Sequence, residues 1–381
     1  MADKKDRIMD LMRRGIISED EAVELLERKG FDENSQENEE EKHTDKGSFK
    51  FNFQNDKKEN DAKKDGYEYH DVDFSDAMKY TFGTLFEKGK EVFKGVAKTV
   101  DDNIDFGNGF PKVKSISKTV EKDLEGDFSE INVEIKAGKI TVQPGDNAHV
   151  KAEYKIYGAV ENADLDAYLA EKTKLEVEDG VLYVTASGRI SANVALYLPK
   201  KVYEKVALNM LNGETTVDQL DATTLEINQL NGAIELNKGN SEKIAISTKN
   251  GDVKVLDGKT NELNVDGING NLRVTAAFER ADLNLVNGNV LVTETFDGAR
   301  QLNVKNVNGD IKVSVPEHLG LVGHVRTIFG GYKTRLNLDN PFEAGRNGAA
   351  IVRTGENSLT FELETKSGTI WLKDIEKNDE D

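Results

Sequence analysis

Apolar and polar residues alternate on both sides of an Asn-Gly dipeptide that recurs six times between residues 206 and 313. Successive Asn residues are separated by 19, 19, 19, 18 and 21 positions, which indicates an internal repeat. Apolar residues recur six and four positions before each Asn and three and five positions after it, and a period of two is typical of strands. Each unit therefore predicts two short strands joined at a corner. The corners are Asn212-Gly213, Asn231-Gly232, Asn250-Gly251, Asn269-Gly270, Asn287-Gly288 and Asn308-Gly309.

Two architectures fit such units. Asn-Gly is a strong hairpin signal, so an antiparallel meander is one of them. The match is between whole units, however, and equivalent corners stack when each unit is one coil of a parallel β-solenoid, which we favour. The predicted fold is mainly β, a single-stranded-type β-solenoid of roughly 19-residue coils. Six coils make a rod roughly 25 to 30 Å long.

The corner residues are predicted to be structural, because Asn tolerates the left-handed conformation and Gly has no Cβ. The same template without Asn fits Ala137-Gly138 and Ser367-Gly368, and a looser copy lies at Asp179-Gly180. Residues 161–172 have a helical pattern, and the glycine-rich residues 319–350 suggest irregular loops near the far end of the rod.

The segments before the repeat have a different composition. Ser18 and Glu21 form a capping box, and Gly30 is a C-cap, so the first residues predict a helical hairpin too small to be stable alone. Self-association through this hairpin is one way to bury its apolar face. The predicted organisation is a helical hairpin (1–30), a disordered acidic linker (31–72), an amphipathic helix (73–106), the β-solenoid repeat domain (112–375) and an acidic tail (376–381).

The amphipathic helix is a candidate for peripheral membrane contact. Its apolar face includes Phe74, Met78, Leu85, Phe86 and Phe93, while lysines and carboxylates share the other side. The alternative is that this face packs on the solenoid and covers its first coil.

The composition limits which binding partners, covalent links and membrane segments the chain can have. The net charge of −19 argues against nucleic acid and favours a protein or a cationic peptide. The absence of cysteine excludes disulfides and thiolate ligands. No apolar run is long enough for a transmembrane helix, and the N-terminus lacks the apolar core of a signal peptide. The location therefore stays open between the cytoplasm and the cell surface without a classical signal peptide.

The sequence contains no recognisable catalytic, cofactor or metal constellation. Its five histidines are scattered, and neither a phosphate loop nor a nucleophile elbow is complete. We therefore expect a protein that is not an enzyme and has no cofactor. An enzyme acting on polysaccharide is the weakest alternative, because carboxylates are abundant but no spaced pair stands out.

Two stretches resemble a known family, the LiaX/YvlB-type envelope-stress proteins of Gram-positive bacteria. The hairpin stretch from Arg7 to Leu26 is similar to the family's N-terminal hairpin. The repeated pattern of Leu-x-Val/Ile followed by Asn-Gly-x-Val/Ile-x-Val, as in Leu302 to Val313, is similar to its adhesin-type β-solenoid domain.

The resemblance implies a non-enzymatic sensor or modulator in the response to membrane-active antibiotics and antimicrobial peptides. It would act through protein or peptide binding, and a membrane signalling protein is a candidate partner. The alternative is a structural scaffold or adhesin that binds a cell-wall polymer or a cationic peptide. Family members occur at the cell surface without an ordinary signal peptide, so the resemblance leaves both locations open.

Overall fold

The structure is a computed structural model that describes residues 115–158, 164–339 and 348–375. All of them belong to His70–Asp381, the second of the two units into which the chain divides. The predicted hairpin, linker, amphipathic helix and acidic tail lie outside the described residues.

The described part contains twenty strands and one helix, α1, in chain order. The elements before the regular repeat are β1 Ser115–Asp123, β2 Glu130–Pro144, β3 His149–Tyr157, α1 Leu165–Lys172, β4 Thr173–Glu178, β5 Val181–Ala186 and β6 Ile190–Leu198. The repeat comprises β7 Val202–Asp218, β8 Asp221–Asn231, β9 Ile234–Asn237, β10 Asn240–Asn250, β11 Val253–Asn269, β12 Leu272–Asn287, β13 Val290–Glu294, β14 Gln301–Asn308 and β15 Ile311–Val315. The last strands are β16 Gly320–Phe329, β17 Tyr332–Thr334, β18 Ala349–Arg353, β19 Ser358–Ser367 and β20 Ile370–Asp374.

The repeat forms parallel coils in which each unit lies beside the next. Asn212 is the register partner of Asn231, which in turn partners Asn250. The series continues in parallel register through Asn269, Asn287 and Asn308. This pairing confirms the β-solenoid and excludes the antiparallel meander. Strand segments before each Asn-Gly corner form what we call the first wall, and segments after it form the second wall.

A second corner closes each regular coil seven residues after the Asn. Gln219, Lys238 and Asp257 have φ between 52° and 55° and are themselves separated by 19 residues. The Lys238 amide donates to the carbonyl of Leu256 in the next coil at 2.9 Å, so this corner is also held by its neighbour.

The core lies between the two walls. The four template positions of one unit, Leu225, Ile227, Ile234 and Leu236, are all buried, and the same offsets are buried along the rod. Burying one such aliphatic side chain contributes about 1.5 to 3 kcal/mol, so the repeat supplies its own core without disulfides.

At both ends of the rod, the order of the strands in the sheet differs from their order in the sequence. At one end, β2 lies between β7 and the β5 and β6 strands, and antiparallel pairs β4–β5, β3–β6 and β1–β3 complete the edge. At the other end, β19 and β20 lie between β14–β15 and β16–β17, although they follow both in sequence.

The prediction of irregular loops over residues 319–350 is wrong for most of the described residues of that range, although residues 335–339 form no strand. Gly320–Phe329 and Tyr332–Thr334 form the outermost coil, and β18 pairs antiparallel with β16. The glycines there permit close stacking, because a Cβ on Gly323 would come within 2.4 Å of the Phe361 carbonyl oxygen.

The other local predictions have different outcomes. Ala137-Gly138 and Ser367-Gly368 occupy the corner register as the template predicts. Asp179-Gly180 instead joins the antiparallel strands β4 and β5, so it is a hairpin turn and not a coil corner. The helical pattern at 161–172 corresponds to α1, which begins at Leu165 in the described residues.

The corner glycines generate a testable prediction. Gly251 has φ +153°, and an added Cβ would lie 1.9 Å from the carbonyl oxygen of Gly232 in the preceding coil. Because backbone would have to move, we expect Gly251→Ala to lower the free energy of unfolding by more than about 2 kcal/mol. Denaturant unfolding followed by circular dichroism measures this change.

Gly331→Ala is the matched control, since nothing lies within 4 Å of the position that a Cβ would take there. We expect that variant to unfold within about 0.5 kcal/mol of the wild type. Equal effects of the two substitutions would contradict the close stacking of the corners.

Candidate functional site

The six predicted corner Asn residues form a ladder along one edge of the rod. Asn231 Nδ2 donates to Asn212 Oδ1 at 2.7 Å, and the four bonds that follow have lengths of 2.7 to 2.9 Å. Each interior amide thus gives one hydrogen bond to the coil before it and receives one from the coil after it. The side-chain amides of the corner Asn residues therefore form hydrogen bonds with one another and hold neighbouring coils together.

A second polar ladder lies two residues beyond the first. Side-chain oxygens of Asp252, Asn271, Asn289 and Asp310 each accept from the backbone N–H of the equivalent residue in the next coil, at 2.7 to 3.1 Å. This edge of the rod therefore uses its carboxylates and amides for stacking.

The outer face of the second wall carries a single file of four cationic side chains, one leucine and one tryptophan. In register order they are Lys254, Arg273, Leu291, Lys312, Trp371 and Lys333, which we call the cation column. Lys254 pairs with Glu235 at 3.4 Å, whereas no described carboxylate forms an ion pair with Arg273, Lys312 or Lys333. Those three side chains are exposed.

Trp371 lies between two of these lysines. Lys333 Nζ is 4.4 Å from the centre of the indole ring, and Lys312 Nζ is 5.8 Å from it. Cation–π attraction of this kind orients an ammonium group while leaving its N–H donors available. The indole is half-buried and is the only tryptophan of the chain.

The outer face of the first wall carries a different file of side chains beside the Asn ladder. Residues immediately before the corner Asn are partly exposed, and most are aliphatic. We call them the apolar column: Leu211, Leu230, Ile268, Val286 and Val307, interrupted by Lys249. Carboxylates two and four positions further back share this face, namely Glu226, Asp266, Asp282, Glu362 and Glu364.

The structure does not bring the other candidate residues of the sequence together into a site among the described residues. Phe74, Met78, Leu85, Phe86 and Phe93 lie outside the described residues, and their membrane contact stays a prediction. His318 Nε2 lies 2.7 Å from Asp297 Oδ2, and His324 is on β16. Within 115–158, 164–339 and 348–375, no group of three His, Cys, Asp or Glu side chains could hold a metal ion.

The family is decided by a match that spans more than half of the chain. Residues 128–373 match the family described as Toastrack DUF4097. The chain belongs to the Toastrack family. It is also 32% identical over 343 residues to "Uncharacterized protein YvlB" of Bacillus subtilis (strain 168), and the match covers 87% of this chain and 86% of that protein. The YvlB-type resemblance is thereby confirmed.

Solved structures similar to this Toastrack chain have low identities and low TM-scores. A "putative adhesin" from Parabacteroides distasonis is 13% identical, with coverage of 69% of this chain and 97% of its own and a TM-score of 0.35. A "putative lipid binding protein" from the same species is also 13% identical, with coverage of 68% and 97% and a TM-score of 0.37. A "putative cell adhesion protein" from Clostridium sporogenes is 16% identical, with coverage of 69% and 100% and a TM-score of 0.23.

No helix among the described residues of the Toastrack protein is long and apolar enough to cross a membrane.

Sequence reasoning missed both outer columns of the Toastrack rod, although the repeat contains the signal for each. The cation column lies four positions after the corner residue, so Lys254, Arg273 and Lys312 follow Asn250, Asn269 and Asn308 at one offset. The apolar column lies one position before it. Apolar periodicity identifies the inward offsets as the core, and it gives no reason to align the outward offsets from one coil to the next.

One carboxyl of the Toastrack rod is buried in the core. Glu294 ends β13 with 0% of its surface exposed, and its Oε1 accepts from the Phe296 N–H at 2.7 Å. Its Oε2 has no hydrogen-bond partner among the described residues. Burial raises the pKa of the Glu294 carboxyl to about 8, against the lowering effect of nearby backbone N–H groups.

This burial predicts a pH dependence of stability. Because the folded pKa lies above the value near 4.5 in the unfolded chain, the folded state holds a proton that the unfolded chain has lost. The contribution of Glu294 to stability should therefore fall as pH rises from about 5 to 8, and Glu294→Gln should reduce that fall by roughly 3 kcal/mol. Urea unfolding of both proteins at the two pH values measures the difference.

Glu356→Gln is the control, because Glu356 is exposed, and it should keep the wild-type pH dependence. If Glu294→Gln and the wild type lost stability in parallel, Glu294 would not be protonated in the folded state near neutral pH.

Proposed function

We propose that this Toastrack protein is a non-enzymatic sensor or modulator of cell-envelope stress that binds a cationic, membrane-active peptide. Membership of the YvlB-type family supports the cellular setting. The observation that carries the peptide partner is the apolar column, which runs along an outer face that also bears carboxylates.

The geometry of this face suits an amphipathic peptide. Side chains of the apolar column lie about 4.8 Å apart on neighbouring strands and form an apolar strip, which is broken once where Lys249 stands between Leu230 and Ile268. Contiguous exposed apolar surface marks a binding site more often than scattered single residues do. A helix or strand with one apolar face can lie along the strip and remove both surfaces from water.

The charge of this face also favours a cationic peptide. Glu226 and Asp282 lie four positions back from the apolar column, and Glu362 lies at the equivalent position near the end of the rod. Lysines on the polar side of a bound peptide would lie within reach of these carboxylates, and the net charge of −19 would steer a cationic peptide towards the chain.

The proposed role does not need catalysis. Binding of a peptide to the rod would change which partners the other parts of the chain can bind. The hairpin predicted at residues 1–30 is the candidate part for transmitting this change, through self-association or a membrane signalling protein. Either side of the membrane is compatible with this role, and protease treatment of intact cells distinguishes them.

The second candidate function is a scaffold or adhesin that binds a cell-wall polymer. The cation column favours it, because that surface has the charge opposite to the chain as a whole.

The peptide site predicts a specific loss of binding. In the full chain, the double variant Leu230→Gln with Val286→Gln should weaken binding of a synthetic amphipathic lysine-leucine peptide by about tenfold or more, because two contacts of the apolar strip are lost. Fluorescence anisotropy of the labelled peptide measures the affinity.

Val202→Gln is the control, because Val202 is 66% exposed and outside the apolar column. It should leave the affinity within about twofold of the wild type. Equal losses in the two proteins would contradict the assigned strip.

A cellular test addresses the role itself. Deletion of the gene should change susceptibility to membrane-active peptides, and complementation with the wild type should restore it while the double variant should not. Unchanged susceptibility and an unchanged stress response after deletion would contradict the proposed function.

A further inference from the structure

The cation column is a concentration of positive charge on an acidic protein. Arg273, Lys312 and Lys333 are exposed and form no ion pair with a described carboxylate. On the first wall, by contrast, Lys243 and Arg280 both lie within 3.7 Å of Glu262. These three side chains therefore leave the file with positive charge that a bound anion can neutralise.

The column is long and narrow. Its six residues occupy six neighbouring strands, so it extends for about 24 Å along the rod and is one side chain wide. A row of hydroxyl groups, Thr275, Thr293 and Ser314, lies on the side away from the Asn-Gly corners. These hydroxyls can donate to anionic oxygens beside the cations.

The flank on the corner side restricts what can bind. Asp252 and Asp310 belong to the second polar ladder, two positions before Lys254 and Lys312. A broad anionic surface such as a bilayer would meet these carboxylates together with the cations. A thin chain lying on the cation column avoids them.

We propose that the cation column binds a linear polyanion, extended along the axis of the rod. Arginine and lysine hold successive anionic groups, the hydroxyl row donates to their oxygens, and Trp371 packs against the connecting part of the chain. The site lies on the opposite wall from the apolar column. It therefore stands independently of the peptide partner, and it gives the scaffold or adhesin alternative a ligand class and a surface.

The position of Trp371 makes the proposal directly measurable. Since the chain has one tryptophan, its emission reports on the cation column alone. Titration of the full-length wild type with inorganic polyphosphate should change the Trp371 emission, and added salt should weaken binding because counterions are released on association. Orthophosphate at the same total phosphate should not bind measurably, since single groups lack the multivalent gain.

Matched charge removal on the two walls tests the location. The triple variant Arg273→Gln, Lys312→Gln, Lys333→Gln should bind labelled polyphosphate at least about tenfold more weakly by anisotropy, with a smaller salt dependence. The control triple variant Lys205→Gln, Lys243→Gln, Arg280→Gln removes the same charge from the first wall and should stay within about twofold of the wild type. Thermal unfolding of both variants checks that they fold.

Three outcomes would overturn the proposal. They are absence of polyphosphate binding by the wild type, equal weakening by the two triple variants, and capture of the protein by phosphatidylglycerol vesicles without binding of soluble polyphosphate. The last would indicate a membrane contact instead. Loss of peptide binding or of the susceptibility phenotype bears on the proposed function and leaves this result intact.

Discussion

The close stacking of corner glycines is the constraint on which the rest of the rod depends. A Cβ on Gly232 would lie 1.7 Å from the Gly213 carbonyl oxygen, and the corresponding distances at the next four corners are 1.8 to 2.2 Å. Only glycine, with positive φ, lets successive coils approach to one strand spacing at this point. The Asn amides beside the glycines then add hydrogen bonds between coils, each contributing about 1 kcal/mol. Together they fix the register of every coil against its neighbours.

Because the register is fixed, residues at the same offset in successive units lie next to one another and form a column along the rod. Residues at the inward offsets must be apolar to fill the core, but residues at the outward offsets are free to vary. Two of these outward offsets carry side chains of one chemical type along several coils. One wall has an aliphatic file beside carboxylates, and the other has a cationic file around Trp371. The rod thus presents two outer faces of opposite character on one rigid support, which suits the proposed role in binding.

Much of this architecture could be predicted from the sequence because the repeat is encoded locally. The inward offsets and the Asn-Gly corners follow from period-two patterning and turn chemistry. The second corner was not predicted, because Gln219, Lys238 and Asp257 share a conformation but not a residue type. The order of the end coils was not predictable either, since β19 enters between β14 and β16 through pairing between distant residues. The buried Glu294 follows an apolar strand at an inward offset, and a polar residue there gives no sequence signal of its burial.

The central claim is that coil stacking, including the exchanged order at the far end, brings Lys312, Trp371 and Lys333 into one file. Because the chain has no cysteine, engineered pairs can report on this order without background. Register partners on adjacent strands lie within disulfide range, whereas residues two strands apart are separated by about 9.6 Å. The most direct measurement is the extent of disulfide formation, by mass spectrometry after mild oxidation, in Lys333→Cys with Trp371→Cys and in Lys312→Cys with Lys333→Cys. The first pair should cross-link efficiently and the second should not. Efficient cross-linking of the second pair would mean that β17 lies beside β15, as it would if the coils stacked in sequence order, and the cation column as described would not exist.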